Sequence, residues 1–582
     1  MKIKKDYFIS KMFYRLLIPS MFSSLGFAFA DVIDTLVLGQ KIGPTGLAAI
    51  SLCLPLFMLI NLFMDGFGIG GCIRFSQYLG EGNSKDAVKC FNRTWLSTLA
   101  FGILIALLIN ICIEPVLSLL GTVPDDGALY DACKHYVQII ALGAPALMLN
   151  IVFANFLRND NNPGMASVGF LAGNAVDIVL NIIFVVFLEM GSAGAALATV
   201  IGSLVAIGIY LPGIIGKKAN MLKIERPGIE IKETLSCFQT GFSTSIQHLF
   251  QLIFLIWVNR LLMDIYGEGG VAIFDVVYSL SFFIVYIYNG TGEAAQPLIS
   301  VFSGENSMED CNYIQKLSLL YGIGAGAVIT ALLVIFPEPI LAAFGINDAL
   351  MPLAVIALRL YCTGFALVGF NIISENYYQS MEKTQFVFFI AIMRGFAVLL
   401  PCSWILSMFE INRINAVWLM YPAAELITLV LFLLFRVIYK EKEARFPTER
   451  IMRLTMENDT EKIGELLDRS ITFCETWDAN VQQTYSVTLV IEEICTSIMR
   501  NAMKNLPDGM IRVTILAMEN GDFVINVLDN AVVFNPFSIK AKKANTETDF
   551  DIDEVSILMI KKKSKEFMYR RNNGFNSLVI RV

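Results

Sequence analysis

Read for hydropathy alone, the chain changes solvent partway along. Up to about Phe435 the apolar residues come in blocks of some twenty, split by Gly, Pro or short charged loops; afterwards they alternate or recur at helical spacing among many charges. Residues 95–113 contain no charged side chain, and 167–188 contain only Asp177. A helix needs about 20 mostly apolar residues to cross a bilayer. That rule predicts twelve spans at 13–39, 46–72, 94–113, 134–157, 165–188, 193–215, 236–262, 270–290, 317–337, 350–378, 384–406 and 414–437. Beyond Arg445-Phe-Pro447 the pattern predicts a strand over 451–456 and helices over 459–473 and 481–505. A hairpin follows: Ile511, Val513 and Ile515 alternate up to Asn520-Gly521, then Phe523, Ile525 and Val527 alternate after it. The expected fold class is an all-α polytopic membrane protein followed by a small α+β domain. The expected division is 1–225 (spans one to six), 226–445 (spans seven to twelve) and 446–582.

Composition narrows the class. Of the 582 residues 55% are hydrophobic and 16% charged, against about 25% charged in a soluble domain. A net charge of -7 without a basic tract argues against nucleic acid as a partner. The eleven Cys form no CxxC pair, and with only His135 and His248 a zinc centre is not expected. The basic segment 1–15 leads into an apolar run without a small-residue cleavage pattern, so it reads as a retained first helix.

Lys2, Lys4, Lys5, Lys11, Arg74, Lys85, Lys89, Arg93, Arg158, Lys217, Lys218, Lys223, Lys232, Lys316, Lys383, Lys440 and Lys442 fall on one side of that topology; little beyond Lys134 and Arg413 falls on the other. The bias predicts a multi-pass protein of the cell membrane with both termini in the cytoplasm.

The hydrophobic region also repeats itself. Gly66-Phe-Gly68, Ser76 and Gly80-Glu81 recur at a constant offset as Gly290-Thr-Gly292, Ser300 and Gly304-Glu305. Two six-helix halves related in this way suit a secondary transporter with its substrate path between the lobes. Close helix packing through small residues is the plainer alternative.

Several segments carry a resemblance to the multidrug and toxic compound extrusion (MATE) transporters, over about 13–435. Asp31-Val-Ile-Asp34-Thr with Gly39 and Gly43 resembles the family's first-helix signature. Gly173-Asn-Ala-Val-Asp177-Ile-Val-Leu-Asn181, then Gly191-Ser-Ala-Gly194-Ala-Ala-Leu-Ala-Thr199, resembles that of helices five and six. Gln296-Pro297 with Ser300 and Gly304 is similar to the motif after helix eight, and Trp418 to Glu425 to that of helix twelve. The resemblance implies an antiporter, coupled to protons or sodium, that exports amphipathic or cationic small molecules by alternating access and needs no other cofactor.

Ionisable groups inside hydrocarbon are costly and are functional suspects by default. Here they are Asp34, Asp177, Asp275, Glu375 and Glu425, with Arg394 as a counter-ion. Asp177 and Asn181, four residues apart, share one helix face. The family's archaeal and DNA-damage-inducible members carry Asn then Asp at these positions, the reverse of this chain, which leaves the coupling ion open. By the same resemblance, Asp34 and Thr199 join them in an acidic N-lobe pocket, where a desolvated carboxylate exchanges a proton nearer neutral pH. The alternative for each acid is a structural hydrogen bond between helices. Asp275 and Glu425 are further ion or substrate candidates, whereas Glu375 is placed near a cytoplasmic end where snorkelling suffices. The Vibrio-type branch carries acids near Gln251 and Val368, and both are missing here. His248, one turn from Thr244 and Gln251, reads as a packing histidine.

From about 452 to 582 the chain resembles the histidine-kinase-like ATPase domain of anti-sigma-factor serine kinases. Ile491-Glu492-Glu493 through Ser497 and Asn501 is similar to its magnesium-binding helix. Asp529-Asn530-Ala531 with Phe534-Asn535-Pro536 is similar to its adenine-binding segment, and 560–574 to its closing helix and hairpin. Glu493, Ser497 and Asp529 are therefore the nucleotide-site candidates. Ser stands where the magnesium-binding Asn is expected and Ala531 where Gly is expected; Asp553-Glu554-Val555-Ser556-Ile557 replaces the Gly-rich phosphate lid. Carboxylates and branched residues there oppose phosphate binding. The expectation is the fold without ATP hydrolysis: a regulatory or docking module that takes a ligand or a cytoplasmic protein. Glu493 then belongs to a solvated helix face. Two other roles fit the chain less well, a membrane-anchored sensor relaying through this domain and a flippase of lipid-linked precursors.

Overall fold

A computed structural model describes residues 9–26, 28, 43–81, 83–120, 122, 124, 127–160, 162–215, 221–225, 231–266, 268–305, 307–344, 346, 348–409, 416–439, 448–459, 461–504, 506, 509–538, 557, 559–561, 564–572 and 575–582. Asp34 and the 553–556 part of the lid segment lie outside them.

The long apolar blocks form helices because a backbone without water must satisfy its own N–H and C=O groups. The first lobe holds α1 (9–26), α2 (Gly43–Gly80), α3 (Ser84–Ile111), the short α4 (Ile113–Leu120), α5 (Ala128–Asn159), α6 (Pro163–Asn181) and α7 (Gly191–Ile215). The second holds α8 (Ile231–Ser245), α9 (Gln247–Tyr266), α10 (Glu268–Gly304), α11 (Met308–Ile335), α12 (Pro337–Ala343), α13 (Met351–Cys362), α14 (Phe365–Ser380), α15 (Thr384–Ile392), α16 (Leu399–Met408) and α17 (Met420–Ile438). Among the described residues ten helices are long and apolar enough to cross a membrane, and α13 with α14, bent by 42°, makes an eleventh. The bend falls at Gly364, where a Cβ would lie 2.9 Å from Pro422 Cα of α17. Only the first part of the predicted span 13–39 is described, as α1.

The repeated glycines mark the axis between the lobes. A Cβ on Gly80 would stand 2.2 Å from the Val301 carbonyl, and one on Gly304 would stand 2.5 Å from the Gln77 carbonyl. Gln77 and Val301 are related by the same offset as Gly80 and Gly304, so the two contacts are copies of one another. Backbones this close admit only Gly.

At the end of the bundle that carries the basic loops sits a five-stranded antiparallel sheet of order β1-β2-β3-β5-β4. Its strands are β1 (Ile451–Glu457), β2 (Met510–Ala517), β3 (Phe523–Asp529), β4 (Glu566–Asn572) and β5 (Phe575–Arg581). Gly521, at φ +83, makes the β2–β3 hairpin turn. Helices α18 (Glu461–Thr476) and α19 (Val481–Ala502) cover one face, burying Ile511, Val513, Ile515, Ile525 and Val527 with Leu466, Val487 and Ile494. The predicted strand, helices and hairpin stand where the alternation places them. The sequence pattern missed that the alternate set is covered too: every residue of β2 is buried. Leu516, Val524, Met568 and Val579 join a cluster with Phe75, Leu79 and Phe91, while Met510 and Phe575 join one with Phe13, Phe302 and Ile314.

Candidate functional site

In the first lobe α6 and α7 pack through glycines. A Cβ on Gly202 would meet the Asp177 Cβ at 3.1 Å, and one on Gly173 would meet the Gly202 carbonyl at 2.9 Å. This contact turns Asp177 toward α7, one turn from Thr199. Asp177 is half-buried and Asn181 buried; Asn181 Nδ2 donates to Asp177 Oδ1 at 3.3 Å. Thr199 Oγ1 donates to the Ala195 carbonyl at 3.2 Å. Directly after Asn181 the helix widens into a π-helical stretch, Ile182–Phe187. Such stretches loosen the backbone ladder and recur at functional sites. The structure thus brings together Asp177 and Asn181 and sets Asp177 against Gly202 of α7, one turn along from Thr199.

The second lobe holds a polar cluster of different make. Glu425 of α17, buried, receives Arg394 Nε at 3.0 and 3.1 Å and Asn371 Nδ2 at 2.6 Å. Arg394 Nη1 also lies 3.5 Å from Glu375, which accepts a hydrogen bond from Gln247. Arg394 itself sits in a second π-helical stretch, Met393–Ala397. Each lobe's fifth span therefore carries a π segment beside its buried polar group. Glu375 is only 4% exposed, which corrects the expectation that it snorkels: a guanidinium and an amide hold it. Gln251 donates to the Tyr278 hydroxyl and Val368 is buried in the core, so neither position adds an acid here. Asp275 stands exposed two turns into α10, toward the end of the bundle away from the basic loops.

Between the lobes, the basic end is shut by ion pairs. Arg158 of α5 reaches Glu293 of α10 at 3.0 Å, and Arg74 of α2 reaches Glu382, just past α14, at 2.9 Å. Arg158 and Glu382 occupy equivalent positions of the repeat, so each lobe's fourth span latches onto the other lobe's second, with opposite polarity. His248 of α9 is hydrogen-bonded to Asp65 of α2 at 2.9 Å, so the ring that packs there also has a polar partner. Gln296 Nε2 meets Cys72 Sγ at 2.9 Å, and these two are also repeat equivalents. Asp65 and Glu293 were missed in the sequence. Asp65 lies inside the predicted span 46–72 and immediately precedes the repeated Gly66. Glu293 follows the matching glycines, just past the predicted span's end at 290.

In the C-terminal domain Asp529 is 2% exposed; its Oδ1 accepts from Asn576 Nδ2 at 2.7 Å and from the Ala531 amide at 2.9 Å. Burial pushes the carboxyl up to about 6, against those hydrogen bonds. Arg571 Nη1 donates to the Ala531 carbonyl at 2.6 Å and to Asn576 Oδ1 at 2.7 Å, which cross-braces the same corner. Ser497 is buried under Asn501, whose Nδ2 donates to its carbonyl at 3.0 Å. Glu493 is half-buried on α19. Among the described residues no group of His, Cys, Asp and Glu is arranged to hold a metal ion.

Compared with known proteins, residues 19–183 and 240–405 match the MatE family, and 456–582 match the histidine kinase-like ATPase domain. The chain is 24% identical over 432 residues to a multidrug export protein, MepA, of Staphylococcus haemolyticus, covering 72% of this chain and 91% of that one. It is 22% identical over 441 residues to a probable multidrug resistance protein, YoeA, of Bacillus subtilis, covering 73% and 93%. Among solved structures, an outward-facing conformation of a multidrug resistance MATE family transporter superposes with a TM-score of 0.70 at 19% identity, covering 74% of this chain and 95% of that one. A Vibrio cholerae MATE transporter mutant superposes at 0.69 with 18% identity, covering 75% and 98%.

Proposed function

The chain belongs to the MatE family of multidrug efflux transporters, and from that premise we propose an ion-coupled antiporter that exports amphipathic, cationic small molecules by alternating access. The observation that carries this reading is the half-buried Asp177 carboxylate, hydrogen-bonded to Asn181 inside a membrane-spanning helix and set against α7 where the backbone turns π-helical. A charge kept there repays its desolvation only if it is exchanged or neutralised. Asp34 and Thr199 complete the acidic pocket, and the coupling ion is a proton or sodium. On this reading both termini face the cytoplasm and the latched end is the cytoplasmic one, which supports release of cargo at the opposite side.

Ethidium efflux from cells tests the reading. Asp177→Asn and Asp34→Asn each cut gradient-driven export by at least tenfold at equal expression, and vesicles with separately clamped pH and sodium gradients identify the ion. If cells making the unaltered chain retain dye like vector controls, the multidrug reading fails.

For the C-terminal domain the proposal is a regulatory module that does not hydrolyse ATP, with Asp529 at its ligand corner and a nucleotide or a cytoplasmic protein as occupant. Support comes from Ser497 and Ala531 standing where a magnesium ligand and a glycine are needed, and from the acidic segment 553–557. Removing the residues after 440 alters the rate or the induction of efflux; transport unchanged on both counts would discard the regulatory role.

A further inference from the structure

We infer that the C-terminal domain is a clamp that bridges both lobes across their latched end and so favours the closed state of that end. The inference rests on the alternating-access reading and gives the regulatory module its mode of action. The bundle-facing side of the sheet divides its contacts between the lobes. Leu516, Val524, Met568 and Val579 are buried in a cluster made chiefly of first-lobe residues, from α2 and α3 among others, with Leu222 of the loop after α7 and Cys237 of α8 at its edge. Met510 and Phe575 are buried with α10, α11 and α14 of the second lobe, and with α1.

An ionic anchor adds to the second contact. Arg512 binds Asp310 in the first turn of α11, and Arg453 Nη2 donates to Ser307 Oγ at 2.7 Å, with Nη1 4.0 Å from Asp310. All three charged side chains are at most 12% exposed. Burial, and next the neighbouring Arg512, pull the Arg453 guanidinium below its ordinary value. Two buried cations share one buried carboxylate, with the exposed Glu309 and the nearby Glu305 as the further acids that act on Arg453. Such an anchor holds but is not irreversible. The repeat supplies the equivalent acid in the first lobe, Asp86, yet that one stands at the surface paired with Lys89. The second lobe is thus held by a buried ionic anchor as well as by apolar side chains.

The clamp also has a release point. Met510 and Phe575, the two residues inserted into the second-lobe cluster, are both tied to the Asp529–Asn530 turn. Asn530 Oδ1 accepts from the Met510 amide at 2.8 Å, and Asn576, next to Phe575, donates to Asp529. Any occupant that takes Asp529 from Asn576 therefore displaces the start of β5 and the ring seated beneath Arg15.

The native pair Cys90 and Cys237, on α3 and α8 of opposite lobes with sulfurs 3.9 Å apart, reports closure directly. In membranes holding the full chain, copper-phenanthroline oxidation and peptide mass spectrometry measure the Cys90–Cys237 disulfide. Asp310→Asn, and independently Met568→Ala with Val579→Ala, lower its yield at least twofold, whereas Asp86→Asn leaves it unchanged. Equal yields in all variants that elute as folded monodisperse protein overturn the clamp, as does an equal fall with Asp86→Asn. Transport is not part of this readout. A chain that cross-links as expected yet exports nothing would sink the antiporter reading and leave the clamp standing.

Discussion

Arg394 shows what a single side chain settles here. Its guanidinium lies between Glu425 and Glu375 away from water, and removing one partner of such a cluster leaves uncompensated buried charge. Arg394→Met is expected to cost about 3–5 kcal/mol, read as a large fall in unfolding temperature of the detergent-solubilised protein. Glu425→Gln, which still accepts from Arg394 and Asn371, costs clearly less. Asp529 offers a pH test. Its folded-state value is raised to about 6 from 3.8, so the native domain takes up a proton before the unfolded chain does. The contribution of this group to stability is therefore fully present below about pH 4 and is lost as pH rises through 6, by roughly 3 kcal/mol in all. Asp529→Asn retains the oxygen that accepts from Asn576 and Ala531. It should slow amide hydrogen exchange of β3 at pH 7.5 and abolish the change between pH 4 and 6. Asp177, Asp275, Glu375 and Glu425 were legible one by one inside the predicted spans, whereas Asp65 was missed. The pairings were not legible, because His248–Asp65 and Arg158–Glu293 join residues more than a hundred positions apart.

At the scale of elements, the apolar blocks announced the helices, since only a helix satisfies its backbone in hydrocarbon. The β2–β3 hairpin was equally plain from its alternation, whereas β4 and β5 were suggested only by the resemblance to the ATPase domain. What the pattern hid was the second, covered face of the sheet, since Arg512 and Thr514 in β2 read as solvent positions until the bundle is laid against them. The π-helical stretches at Ile182–Phe187 and Met393–Ala397 were hidden as well: a one-residue widening leaves no mark in hydropathy. The repeated glycines were legible as a repeat, but that they meet where α2 crosses α10 was not. Gly80→Val places a branched side chain into the Val301 carbonyl and holds the lobes apart. Export should fall at least tenfold, and Cys72, now fully buried, should become reactive to a thiol reagent added from the basic-loop side. Gly164→Ala, with nothing within 4 Å of its Cβ, should do neither.

For the whole molecule, alternating access demands that the closed end be held by contacts which form and break as a set. The two repeat-related latches meet that demand: they are partly hydrated, lie off the axis and depend on both lobes being docked. Arg74 and Glu382 are 24% and 13% exposed at their side chains, so water can take over each charge when the end opens, at less cost than at Arg394. Their attraction also depends on sign rather than on which lobe carries which charge. Arg74→Glu alone opposes two carboxylates and Glu382→Arg alone opposes two guanidinium groups; each should lower the Cys90–Cys237 disulfide yield and slow export. The doubly swapped chain should recover most of both, with a coupling energy of roughly 0.5–3 kcal/mol in the cycle. A swap that recovers neither would mean that the pair merely accompanies closure, and that the glycine crossing and the C-terminal clamp hold the end shut without it.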